Sequence, residues 1–236
     1  MNKFLSQAGV ASRRHADKLI AEGRVEVNGK VIQRLGYKVD TENDRVAVDG
    51  KEVERVEAGI YLMLNKPPGY LVTAEDSFGR PTIKELLPAL KARIFTVGRL
   101  DFDSRGLLLL TNDGELAYRL SHPRYEVKKT YLISVKGEPQ REDIARLEKG
   151  IYLEGQKTAP ARVILLKGGK RRSFLRVEIH EGRKREVKRM FEATRHPVLE
   201  LKRIGFGGLE LGKLREGKWR FLRKGEVSRL KKLVGL

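Results

Sequence analysis

An aspartate stands in the middle of the chain between two apolar runs. Asp101 follows Gly98-Arg99-Leu100, with Ile94 to Val97 leading in and Leu107 to Leu110 leading out. Both runs read as buried strand segments, and Asn112-Asp113-Gly114 as the turn that ends the second. A carboxylate held on a short loop between anchored strands can attack an electrophilic carbon or stabilise positive charge developing on it. Asp103 supplies a second carboxylate that an extended loop would point the same way. Such a pair suits glycoside hydrolysis, which needs its carboxyl groups roughly 5 to 9 Å apart. Loop aspartates also form turns, and Asp101 is close enough in sequence to pair with Arg99. The residues alone leave these three readings open.

Composition sets other chemistries aside. There is no cysteine, so disulfides and thiolate metal sites are excluded. His15, His122, His180 and His196 are scattered, with no i,i+4 pair of the helical zinc kind, so no metal site is expected. Gly168-Gly169-Lys170-Arg171-Arg172 lacks the spacing of a nucleotide-binding glycine loop, and Gly205-Phe206-Gly207-Gly208 lacks that of a dinucleotide fingerprint. The 236 residues carry a net charge of +19, of which only +1 falls in residues 1–58. That excess favours a polyanion, nucleic acid before an anionic membrane. No run of about 18 apolar residues and no signal-peptide core is present, so a soluble, cytoplasmic protein is expected.

Several elements must position the central loop. Ile60 to Leu64 reads as a buried strand, broken by Asn65-Lys66-Pro67-Pro68-Gly69. Thr82 to Leu90 suggests a short helix and Glu115 to Leu120 another. Lys128 to Val135 alternates like a half-buried strand, in which Tyr131 alone reads as core. Glu138 to Leu147 looks helical, and Arg162–Leu166 and Ser173–Ile179 look like paired strands. In Gly182 to Phe191, residues Val187, Met190 and Phe191 share one helical face; Arg185, Lys188, Arg189 and Glu192 share the other. Residues 225–236 suggest an amphipathic helix with Val227, Leu230, Leu233 and Val234 on its apolar side.

Ahead of these, the first 58 residues read as two helices and two short hairpins. Ser12 is placed to cap a helix whose inward stripe is Ala16, Leu19 and Ile20. Asn28-Gly29 and Asp49-Gly50 are two-residue hairpin turns. Arg13, Arg14 and Lys18 lie away from the apolar stripe, either as a phosphate grip or as a solvated face. A linker is expected around residues 54–59, dividing the chain into 1–58 and 59–236. The fold class is α+β: a small helix-hairpin module, then a mostly antiparallel sheet with flanking helices.

The central stretch, Gly98-Arg99-Leu100-Asp101 with Ser104-Arg105-Gly106-Leu107 to Gly114, resembles the catalytic motif of the RNA pseudouridine synthases, in the RsuA/RluB/RluE/RluF branch. Asn65-Lys66-Pro67-Pro68-Gly69, Lys129-Thr130-Tyr131, Gly182 to Phe191 and Val198 to Gly205 are similar to that family's other motifs. Ser12 to Asp17 and Gly23 to Gly29 resemble the S4 RNA-binding domain. The resemblance implies Asp101 as the catalytic residue, with Tyr131 packing in its pocket and Leu201 lining it. It implies Lys188 as the cation paired with Asp101, where the family more often has arginine, a difference that keeps the charge but loses the bidentate fork. It implies RNA contacts from Arg13, Arg14, Lys18, Arg99, Arg105, Arg183, Arg185 and Arg189.

The implied reaction turns uridine into pseudouridine in ribosomal RNA, and residues 182–187 look most like the large-subunit RluB type. Uracil leaves its sugar, rotates and rejoins through carbon, so no cofactor is expected. The implied partner is ribosomal RNA, with no membrane, and a monomer is expected. A non-catalytic S4-type RNA-binding or assembly protein is the alternative.

Overall fold

The structure is a computed structural model that describes residues 1–54, 59–73, 76–90 and 92–236. Most of the expected linker therefore lies outside the described residues. The chain divides into two compact units. One holds residues 1–60 with 88–95 and 112–114; the other holds 61–87, 96–111 and 115–236.

The first unit opens with helices α1 (Asn2–Gln7) and α2 (Arg13–Ala21). The Ser12 side chain accepts the His15 N–H at 3.1 Å, satisfying one of the unpaired donors at the start of α2. Strands β1 (Val25–Val27), β2 (Lys30–Val31), β3 (Val46–Val48) and β4 (Lys51–Glu52) follow, in sheet order β2-β1-β3-β4. Asn28 and Gly29 have φ of 51° and 76°, and Asp49 and Gly50 have 51° and 72°. Two successive positive φ values make the turn that matches strand twist, which explains the Asn-Gly and Asp-Gly pairs. Ala16, Leu19, Ile20, Val25, Val27 and Val46 close one core. Arg13, Arg14 and Lys18 are exposed on the opposite side of α2.

The second unit is built on one large sheet. Its strands are β5 (Tyr61–Lys66), β6 (Phe95–Val97, which begins in the other unit), β7 (Arg105–Thr111) and β8 (Lys129–Lys136). A small pair, β9 (Tyr152–Leu153) and β10 (Gln156–Lys157), stands apart. The main sheet continues with β11 (Arg162–Lys167), β12 (Arg172–Ile179), β13 (Val198–Phe206), β14 (Leu209–Glu210) and β15 (Trp219–Phe221). Its order is β11-β12-β8-β13-β7-β5-β15. Neighbours pair antiparallel except β13 and β7, which run parallel. Helices α3 (Gly114–Ser121), α4 (Arg141–Glu148), α5 (Glu186–Ala193) and α6 (Lys224–Leu233) flank it.

The expected fold class holds, with local corrections. Thr82 to Leu90 forms only a 3-10 turn at Ile83–Leu86, because Pro88 fixes an extended backbone just beyond it. The helix expected from Glu138 starts at Arg141, past Pro139. On α6, Leu230 and Val234 are buried but Leu233 is exposed. Its apolar stripe is narrower than the sequence suggests.

Candidate active site

The loop carrying Asp101 is held from below by a buried lysine. Lys66 ends β5, and its Nζ donates to the carbonyls of Pro67 (2.9 Å), Asp101 (3.2 Å), Phe102 (3.3 Å) and Ser104 (2.9 Å). Burial lowers the Lys66 pKa to about 8, against the pull of Asp103 and Asp101. Gly69 N–H adds a bond to the Phe102 carbonyl at 2.8 Å, and Ser104 N–H one to the Asp101 carbonyl at 3.1 Å. The backbone around Asp101 is thus fixed while its side chain stays free to act. Among the described residues, no hydrogen bond or ion pair ends on the Asp101 carboxylate. It neither caps a turn through its side chain nor pairs with Arg99.

Strand β7 leaves this loop and runs beside β13. Gly106 faces Arg203 in the parallel register. A Cβ on Gly106 would lie 2.2 Å from the Arg203 carbonyl oxygen, and its φ is 110°. Only glycine fits, so the Ser-Arg-Gly spacing after Asp101 reflects this backbone contact. On the far side, β13 pairs with β8, where Arg203 stands opposite Tyr131 and Leu201 opposite Ile133. Alternation along β13 turns Leu201 and Arg203 to one face.

A cavity of about 280 Å³ opens on that face, near the lower end of small-ligand pockets. Asp101, Tyr131, Lys188 and Leu201 all line it, as do Arg99, Arg183 and Arg185. Burial raises the Tyr131 pKa against the opposing pull of the Arg203 charge and keeps the phenol neutral. Arg105 and Arg189 do not line the cavity; they pair with Glu216 at 3.7 Å and Glu154 at 2.9 Å. Arg13, Arg14 and Lys18 belong to the other unit.

The expected Lys188–Asp101 pair is not formed. Lys188 Nζ lies 2.6 Å from Asp103 Oδ1, and Arg185 lies 3.7 Å from Asp103 Oδ2. Burial pushes the Asp103 carboxyl up, but the Lys188 bond and charge, with Arg185, hold it below its ordinary value. The physical reason is position. Asp103 lies on the turn two residues beyond Asp101, within reach of the start of α5. Arg185 caps that helix in a left-handed conformation, with φ of 52°.

Four further side chains at the cavity were not singled out from the sequence. Lys129 Nζ is buried and donates to the carbonyls of Val127, His180 and Glu181; burial, then the Arg203 charge, lowers its pKa to about 8. Burial, then Glu181, raises the Glu186 pKa to about 7. Phe206 and Arg203 are fully buried, with the guanidinium 5.2 Å from the ring centre. For Arg203 a signal existed: it lies two residues from Leu201 on a strand, hence on the same face.

Comparison with known proteins names the class. A family model described as RNA pseudouridylate synthase matches residues 60–193, and one for the S4 domain matches residues 2–46. A crystal structure of a pseudouridylate synthase superposes with a TM-score of 0.71 at 32% identity, covering 97% of this chain and 98% of the other. The chain belongs to the RNA pseudouridine synthases, isomerases that rearrange uridine in RNA. It is 48% identical to ribosomal large subunit pseudouridine synthase B of Bacillus subtilis, over 99% of this chain and 96% of the relative. It is 49% identical to an RNA pseudouridine synthase of Aquifex aeolicus, over 100% and 95%.

Proposed function

We propose that this enzyme converts uridine to pseudouridine in the RNA of the large ribosomal subunit, with Asp101 as the catalytic carboxylate. The observation that carries this reading is the convergence of Asp101, Tyr131, Lys188 and Leu201 on one cavity from two strands, a loop and a helix. The name of the Bacillus relative points to the large subunit.

In this reading the target uridine leaves its helix and enters the cavity, where Tyr131, Leu201 and Phe206 offer apolar walls to the base. The Asp101 carboxylate attacks or stabilises the anomeric carbon as the C1′–N1 bond breaks. Uracil rotates and C5 bonds to C1′; C5 loses a proton and N1 gains one, so the rearrangement balances without an oxidant. Lys188 keeps positive charge beside the two loop carboxylates. Arg99, Arg183 and Arg185 at the cavity hold phosphates, and Arg13, Arg14 and Lys18 of the other unit bind RNA as well. Arg105, Arg183, Arg185 and Arg189 act only if RNA displaces or shares their present carboxylate partners. Residues 1–58 serve as the RNA-binding domain and 59–236 as the catalytic domain, in a cytoplasmic monomer.

Among the described residues no helix is long and apolar enough to cross a membrane. The test has two parts. Pseudouridines mapped in ribosomal RNA should lose at least one large-subunit site when the gene is deleted. The purified protein should release tritium from large-subunit RNA labelled at uracil C5. No release and an unchanged map would sink the proposal.

A further inference from the structure

Arg203 is the most buried cation in the cavity wall, with 2% of its surface exposed. Its Nε donates to the Leu107 carbonyl at 2.7 Å, and its charge acts on the neighbouring Tyr131 phenol. Its Nη2 is buried and has no hydrogen-bond partner. Among the described residues it forms no ion pair, so a full positive charge sits in the protein without a carboxylate. An unmet buried donor on a charged group is costly, and a catalytic role is one reason for a fold to keep it. Backbone geometry keeps Arg203 in place: Gly106 meets its main chain on one side and Tyr131 faces it on the other.

We propose that Arg203 is a further catalytic residue, whose Nη2 donates to a carbonyl oxygen of the uracil ring in the cavity and holds the negative charge of the base while it is detached. This rests on the reading of the cavity as the uridine site. A guanidinium can only donate, so its partner must be an acceptor. The cations at the open rim, Arg99 and Arg185, are exposed and suit phosphates. Arg203 instead lies beside Tyr131 and Phe206, two of the apolar side chains of the lining that suit a base.

When the C1′–N1 bond breaks with its electron pair, the charge spreads over N1, O2 and O4. A fixed guanidinium beside O2 or O4 stabilises that charge at the moment it forms. The same contact favours uracil over cytosine, because cytosine presents an amine donor where uracil presents O4. A donor facing a donor is rejected.

The experiment uses the full-length enzyme and a synthetic RNA stem-loop carrying the mapped target uridine, with either O2 or O4 replaced by sulfur, a weaker acceptor. Single-turnover pseudouridine formation by the wild type should slow by ~10-fold or more for one of the two thio-substrates. Arg203→Met should slow the oxygen substrate by ~100-fold with RNA affinity nearly unchanged, and the thio effect should vanish. Arg203→Lys should recover part of the rate. A thio effect that survives in Arg203→Met would assign the residue a structural role only and overturn the proposal. If Arg203→Met does not fold, the wild type decides: no sensitivity at either carbonyl rejects the contact. No product from the oxygen substrate with wild-type enzyme would instead reject the uridine site itself.

Discussion

Two carboxylates two residues apart have different partners here. Asp103 takes Lys188 and Arg185, whereas the Asp101 carboxylate is left open to the cavity. Asp101→Asn is nearly isosteric and should leave the fold and RNA affinity intact while lowering turnover by ~10³-fold or more. Asp103→Asn should cost only ~10-fold, since it loosens Lys188 without removing the reacting oxygen. Tritium release from uracil C5 reads both, and near-normal release from Asp101→Asn would shift the assignment to Asp103. Lys188→Arg should be tolerated and Lys188→Met slow, because charge beside the loop is what the position supplies. Glu186 gives a stability test. Its folded pKa, about 7, lies above its unfolded value of 4.5, so its stabilising effect is complete below 4.5 and is lost as pH rises through about 7. Glu186→Gln should remove a decline of about 1–3 kcal/mol across that window. Thermal melting at pH 5 should then match wild type, and melting at pH 8 should favour the variant.

At the scale of elements, the loop is as good as its supports. Lys66 ties three carbonyls of the Asp101 loop, and that of its neighbour Pro67, to the end of β5. Lys66→Met fills the same space without donors, so stability should fall by about 1–3 kcal/mol and turnover should fall with it. RNA binding, read by filter retention, should change little; unchanged turnover would show that the loop holds itself. Gly106→Ala tests the contact between β7 and β13. A methyl 2.2 Å from a main-chain oxygen cannot be accommodated without moving a strand. Loss of about 3 kcal/mol or more in a urea titration is expected, with activity lost even where the protein still folds.

For the whole molecule, charge is the governing quantity. With +18 of the net +19 beyond residue 58, RNA affinity should fall steeply with salt. Each neutralised phosphate contributes a slope of about −0.7 to −0.9 in log affinity against log salt. A flat dependence would point to a partner other than RNA. The exposed Arg13, Arg14 and Lys18 allow a local version of the test. Reversing all three to glutamate should weaken binding and flatten the salt slope while leaving the rate at saturating RNA unchanged. A fall in that saturated rate would mean the first unit takes part in more than binding.

The sequence by itself determined the elements and most of the chemistry. Ser12, Asn28-Gly29 and Asp49-Gly50 marked a cap and two hairpins because those residues act through their immediate neighbours. The alternation around Tyr131 and the helical spacing of Val187, Met190 and Phe191 showed buried faces, since periodicity is a local property. The motif around Asp101 singled out the carboxylate proposed to react. What only the tertiary structure decided were pairings across long sequence separations. Lys188 bonds Asp103 and not Asp101, a choice between residues two apart that depends on where α5 starts. Lys66 reaches carbonyls 35 to 38 residues away, and Arg203 reaches Leu107 across 96. Thr82 to Leu90 has helical spacing, yet Pro88 stops it. No spacing rule predicts which strands lie side by side, and the parallel meeting of β7 and β13 is what sets a buried, half-satisfied guanidinium beside the Asp101 loop.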